Sequence, residues 1–412
     1  MPEPVLDRGV MRAPREVLFG PGVAAAAGRL AGRLGDRVLV LTDATLASGE
    51  GGRRVLASLR SEGLELEVFD GTVPELPMEI VLDAIRAAVA FRPRCLVGLG
   101  GGSSLDLAKL VALGVAHGAE LRSFYGEEQV PGPVAPVVAI PTTAGTGSEV
   151  TPVAVLTDPD AVLKVGISSR HLIPTYALVD PTLTYGCPPS VTGYAGIDAL
   201  AHAIEAYTAA RRELPPGTDA VFVGKNSLSD AFAILAMARI APNLVAATRD
   251  EPDARVALAY GSLCAGLAFG TAGTAVAHAL QYPIGARTHT PHGLGTGLLL
   301  AYAMQFNRPA RVTELAVVGR AMGVTAGEDD DERAADAAVA GVAELATAVG
   351  VPASLAELGV DEQKLPHLAR QALGVGRLID NNPRELREEE LAEILRAAWR
   401  GELSPANRAA VS

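Results

Sequence analysis

Cysteine is scarce in this chain. Only Cys95, Cys187 and Cys264 occur among 412 residues. None forms a CxxC pair, which leaves no disulfide framework and no zinc ribbon and fits a reducing compartment, so a cytoplasmic location is expected. Aromatic residues make up 4%, with a single Trp. Long apolar runs are absent too: GLGTGLLLAYAMQF is too short for a membrane span, and the first twenty residues hold no apolar stretch between their charges. Neither export nor membrane insertion is expected. Basic residues are in deficit, 35 Lys and Arg against 47 Asp and Glu for a net charge of −12. That balance disfavours a surface that tracks phosphates, so nucleic acid is not an expected partner.

What is present is apolar residue in quantity, 49% of the chain with a mean hydropathy of +0.25, enough to bury large cores. The length suggests two or three domains. From Arg37 the sequence RVLVLTD reads as a strand of the kind buried on both faces of a parallel sheet, GGRRVLASLRSEG as a helix, and LELEVFDG as the next strand. The alternation continues through a helix near residues 79–90, the strand CLVGLG, a helix from about Ser103 and the strand ending before Thr142. PVAVLTD, VLKVGISS and YALVDP read as a hairpin and a last strand. After the Gly-Cys-Pro-Pro break at 186–189 the strand signal gives way to Ala-rich amphipathic stretches. The expected architecture is a doubly wound α/β dinucleotide-binding domain over 1–187, followed by an all-α metal-binding domain over 188–412. An acidic run over residues 328–332 reads as a solvated helix start.

Three polar segments follow predicted strands. Gly100-Gly101-Gly102-Ser103 opens a helix, where backbone N–H groups and the helix field favour a pyrophosphate. A tight strand-to-helix turn needs the same glycines, and the cluster lies two strands later than a standard dinucleotide fingerprint. Asp43, at the end of the first strand, suits either an adenosine ribose, favouring NAD over NADP, or a helix cap. Thr142, Thr143 and Thr146 form a hydroxyl-rich loop. In the helical half, Asp198 and His202 are four apart and share a helix face, while His278 and His292 supply two more imidazoles. Three histidines and a carboxylate suit a divalent ion. An ordinary helix pair and a core histidine account for the same residues taken singly.

Taken together, GGGSSLDLAK at 100–109, PTTAGTGSE at 141–149, the Asp198-x-x-x-His202 pair and the two later histidines resemble the iron-containing (group III) alcohol dehydrogenase family, within the dehydroquinate synthase-like superfamily. The resemblance runs from Phe19-Gly20-Pro21-Gly22 to Asn381-Asn382-Pro383-Arg384. It implies a metal-dependent oxidoreductase moving a hydride between NAD(H) and a primary alcohol/aldehyde pair, with the cofactor in a cleft between domains. It implies Asp198, His202, His278 and His292 as ligands of Fe2+, with Zn2+ as the alternative. On the cofactor side it implies Asp43 at the ribose and Gly101, Gly102 and Ser103 at the pyrophosphate. Thr142, Thr143 and Thr146 fall at the phosphate and nicotinamide, and Lys164 at the nicotinamide ribose. Asp106 is grouped with them, although its spacing to Lys109 is also that of a helix ion pair. A homodimer or larger homo-oligomer is implied as well.

One departure bears on mechanism. Propanediol and lactaldehyde oxidoreductases carry a second histidine four residues after the third ligand, where this chain has Tyr282. Tyr282 and His289 are therefore the candidate proton carriers. Relatives acting on anionic aldehydes or hydroxy acids, and a lyase or cyclase like dehydroquinate synthase, are the alternative readings.

Overall fold

The computed structural model describes residues 8–161, 164–215, 217–326 and 329–403. Val162 and Leu163 of the expected hairpin and Glu328 of the acidic run lie outside them. Two compact units divide between Gly186 and Cys187. The boundary read from the sequence lay one residue later. The sequence did not indicate two exchanges: the described residues before Arg12 cluster with the helical unit, and Asp219–Val221 with the α/β unit.

Among the described residues the α/β unit has nine strands: β1 (Glu16–Phe19), β2 (Arg37–Leu41), β3 (Glu65–Phe69), β4 (Cys95–Gly100), β5 (Gly126–Glu127), β6 (Val137–Pro141), β7 (Val153–Leu156), β8 (Val165–Ser168) and β9 (Tyr176–Val179). Its helices are α1 (Ala27–Gly32), α2 (Ala44–Ser48), α3 (Glu50–Ser61), α4 (Met78–Phe91) and α5 (Gly102–His117). The main sheet is parallel throughout, in the order β1-β9-β6-β4-β2-β3. Its inner strands are buried along almost their whole length, which is why they read as unbroken apolar runs.

Pleating sends Val38 and Val40 of β2 into a core formed with α1 and α3, and Leu39 and Leu41 into another formed with α4 and α5. Helices thus cover both faces. β7 and β8 form the expected antiparallel hairpin, and the short β5 adds to it in parallel. The edge strand β1 gave no sequence signal because it is only four residues long and half exposed.

The order of strands matters for function. Between β2 and β4 the winding reverses, and in open α/β sheets ligands bind beyond the carboxyl ends of strands at such a point. Asp43 follows β2, Gly101 follows β4 and Thr142 follows β6, and these three strands are neighbours.

The second unit is helical: α6 (Pro189–Thr208), α7 (Ser227–Ile240), α8 (Leu244–Thr248), α9 (Pro252–Ala272), α10 (Val276–Thr288), α11 (His292–Asn307) and further helices out to Glu388–Arg400. Helix α6 is its axis, packed against α7, α9 and α11. The chain turns by 101° between α9 and α10. No single described helix is long and apolar enough to cross a membrane. In the acidic run, Asp330 caps the helix that begins at Asp331, accepting from Arg333 N at 2.9 Å.

Candidate active site

On the α/β unit the sheet edge gathers the segments singled out in the sequence. Thr142 N donates to Gly100 O at 2.9 Å, which ties the threonine loop to the glycine turn. A Cβ on Gly102 would lie 2.8 Å from Thr146 Cγ2, so only glycine lets the two loops approach this closely. Gly101 and Ser103 are partly exposed at the start of α5, leaving its first N–H groups available to an anion. Asp43 acts as the N-cap of α2: its Oδ1 accepts from Leu46 N at 2.9 Å.

Two residues of the glycine motif serve the fold. Asp106 accepts from Ser148 Oγ at 2.5 Å and Val155 N at 3.0 Å, one bond to each carboxylate oxygen. The carboxylate thereby joins α5 to the loop and to β7, and it and the Lys109 ammonium also act on each other's charge, in the sense of the helix-pair alternative. Lys109 is fully buried, its Nζ donating to Thr151 O at 2.9 Å and Val153 O at 2.7 Å. Burial pulls its pKa down to about 8 and pushes that of its buried neighbour Glu149 up to about 7. Lys164 stands just before β8 in an ion pair with Glu75.

In the helical unit Asp198 and His202 lie on α6, both buried, with His202 Nε2 3.9 Å from Asp198 Oδ2. His278, in the first turn of α10, and His292, the first residue of α11, each bring Nε2 to 3.7 Å from Asp198 Oδ1. Three imidazoles therefore converge on one carboxylate. The His202 ring stacks between Phe269, at 4.1 Å, and His278, at 4.7 Å. Gly293 brings α11 in: a Cβ there would sit 2.1 Å from Tyr194 O and 3.0 Å from Asp198 Cβ, so His292 reaches Asp198 because its neighbour has no side chain.

Two residues that the sequence reading passed over complete the arrangement. Glu205, buried on α6, accepts from His278 Nδ1 at 2.5 Å, and Gln281 Oε1 accepts from His292 Nδ1 at 2.7 Å. Both bonds put the ring proton on Nδ1 and leave the Nε2 lone pair facing Asp198. A signal existed for each. Glu205 is seven residues after Asp198, the only acid in an otherwise apolar stretch of α6 beyond the Asp198–His202 pair, and Gln281 is three after His278.

The donor set fits a divalent cation. His278 Nε2 is buried and has no hydrogen-bond partner among the described residues. A cation about 2.1 Å from nitrogen and oxygen ligands separates neighbouring ligands by roughly 3.0–3.5 Å; each imidazole is 3.7–3.9 Å from Asp198, and Asp198, His202 and His278 offer ligand atoms all within 4.8 Å of one another, a group that does not include His292. Burial opposes charging His278, but the Glu205 and Asp198 carboxylates outweigh it and the pKa is raised; Arg377 acts in the opposite sense. Tyr282 lies beside the site, its ring 6.1 Å from that of His292. His289 is exposed, at the left-handed end of α10.

A sequence model described as "Iron-containing alcohol dehydrogenase" matches residues 14–181, and one described as "Fe-containing alcohol dehydrogenase family, C-terminal" matches residues 192–399. The chain belongs to the iron-containing alcohol dehydrogenase family. It is 34% identical to a 1,3-propanediol dehydrogenase of Citrobacter freundii, over 94% of this chain and 97% of that protein. It is 32% identical to an NAD-dependent methanol dehydrogenase of Bacillus methanolicus, over 93% and 98%. The crystal structure of a 1,3-propanediol oxidoreductase superposes with a TM-score of 0.89 at 32% identity, covering 95% of this chain and all of that one. As a member of this family the protein is an oxidoreductase of alcohols and aldehydes, and the α/β-then-helical architecture is the family's own.

Proposed function

We propose that Asp198, His202, His278 and His292 hold a divalent metal, Fe2+ with Zn2+ as the alternative, and that the α/β unit binds NAD(H) at the carboxyl edge of its sheet. The reaction is the reversible oxidation of a primary alcohol to an aldehyde. The observation that carries it is the convergence of three Nε2 atoms on the Asp198 carboxylate. When bound, the cation supplies Lewis acidity, stabilising negative charge on the substrate oxygen in either direction.

The rest falls to the chain. Gly101, Gly102 and Ser103 present the N-terminus of α5 to the pyrophosphate, with Thr142, Thr143 and Thr146 beside them. Asp43 would accept from the ribose and disfavour a 2′-phosphate, while Lys164 would contribute positive charge on the nicotinamide side. Gln281 and Glu205 keep the ligand rings in the required tautomer. Of the two candidate proton carriers, Tyr282 is the one placed beside the ligands. Its phenol is suited to donate a hydrogen bond, with bulk proton exchange through water or a ribose hydroxyl, and His289 serves at the surface.

A second reading concerns the substrate. Arg377 lies over the Phe222 ring at 4.1 Å, on a helical turn packed against α10, and its charge is felt at His278. A cation there favours an aldehyde with an anionic tail. We also place the protein in the cytoplasm, supported by three free cysteines, and assign it a homodimer or larger assembly on the family resemblance, for light scattering to test.

The deciding experiment strips the metal, reloads it anaerobically with Fe2+ or Zn2+, and follows NADH absorbance against neutral and anionic aldehydes. Metal-dependent NADH loss is expected. Preference for anionic aldehydes that disappears in Arg377→Leu would establish the second reading. NADH binding without consumption under any metal would overturn the dehydrogenase and favour a lyase.

A further inference from the structure

We infer that Glu205 is the positioning residue of the metal centre: it caps α10 from a neighbouring helix and sets the tautomer of His278. This rests on the metal-centre reading above.

The geometry is specific. Beyond the turn at residues 273–275, the first N–H groups of α10 have no partner within their own helix. Ala275, the N-cap residue, has no side-chain oxygen to offer. Glu205 substitutes from α6: Oε2 accepts from Ala275 N at 3.0 Å, Oε1 from Ala277 N at 2.7 Å, and Oε2 again from His278 Nδ1 at 2.5 Å. One buried carboxylate thus fixes where α10 begins, how the His278 ring is rotated and which nitrogen carries its proton. Asn381 holds the other side of the turn, its Nδ2 donating to Ala272 O and Thr274 O, both at 3.0 Å.

The face of α6 carries the consequence. Asp198, His202 and Glu205 occupy positions i, i+4 and i+7, so one helix supplies two ligands and the group that aims a third. Replacing Glu205 by Gln preserves volume but converts one acceptor oxygen into a donor. With the amide nitrogen towards His278, the ring must accept at Nδ1 and carry its proton on Nε2, where the metal should bind. With the nitrogen towards Ala277, two donors face each other and the Ala277 half of the cap is lost. Either arrangement damages the site without touching a ligand.

The test measures metal affinity by chelator competition on the full-length protein and its E205Q variant, alongside NADH affinity. E205Q should bind Zn2+ about 10- to 100-fold more weakly, with NADH affinity unchanged. Equal Zn2+ affinity in the two proteins would overturn the inference. A parent protein that binds no divalent metal would instead overturn the metal-centre reading.

A second measurement needs neither the variant nor the metal. In metal-free parent protein labelled with 15N-histidine, the neutral His278 ring, identified by its loss in His278→Gln, should carry its proton on Nδ1. A proton on Nε2 would overturn the role of Glu205 even where E205Q fails to fold.

Discussion

Replacing Glu149 with Gln should stabilise the protein above neutral pH and leave it nearly unchanged in mild acid. Glu149 is 3% exposed, at the end of the threonine loop that faces the expected cofactor site. Burial raises its carboxyl from 4.5 to about 7, against the partial help of its own backbone N–H and the Lys109 ammonium. The folded protein therefore binds a proton more tightly than the unfolded chain between those two values. Stability contributed by this residue is greatest below pH 4.5, falls as pH rises to 7, and stays low beyond. The ionised side chain costs about 3 kcal/mol at pH 8, by the equivalence of 1.36 kcal/mol per pH unit.

Gln keeps the shape and removes the charge, so the difference in unfolding free energy between E149Q and the parent should grow by about 3 kcal/mol between pH 4.5 and 8. Urea unfolding followed by far-UV circular dichroism, without metal or cofactor, measures it. The single Trp is a poor probe here, because Trp399 belongs to the helical unit. A pH-independent difference, or a loss of stability at pH 8, would refute the reasoning.

Gly293→Ala adds a Cβ against Tyr194 O and should drive α11 from α6, weakening metal binding at least tenfold and lowering the thermal midpoint; equilibrium dialysis and calorimetry read both, and unchanged metal affinity counts against the close approach. In Gly102→Val the new side chain meets Thr146, so NADH affinity should fall about tenfold or more while Zn2+ affinity holds. A parallel loss of both would point to general unfolding. Asp43→Gly should move the NADH:NADPH preference towards NADPH at a stability cost of only a few tenths of a kcal/mol, since Gly is a tolerable N-cap. An unchanged kcat/KM ratio for the two cofactors would remove Asp43 from the ribose site.

Most of the α/β unit was legible because its strands are buried on both sides and therefore announce themselves as apolar runs, punctuated by helices of visible period. The proposed metal ligands were legible as residue types at telling spacings. Asp198 and His202 are tied by helix geometry alone, which any sequence displays. His278 and His292 are not: their meeting with Asp198 depends on a 101° turn after α9 and on Gly293 letting one helix touch another, neither of which is a local property.

The same limit explains Glu205 and Gln281, which act only through partners brought close by packing. It explains Asp106 and Lys109 as well. Their i,i+3 spacing suggested a helix pair; the fold adds partners that spacing does not show, Ser148 and Val155 for the carboxylate and Thr151 and Val153 for the ammonium. By itself the sequence determined the order of elements, the chemistry available at each strand end and half of the proposed ligand set, because these follow from periodicity and short-range spacing. Tertiary structure alone decided which polar groups meet, since a buried hydrogen bond requires its partner to arrive from elsewhere in the chain.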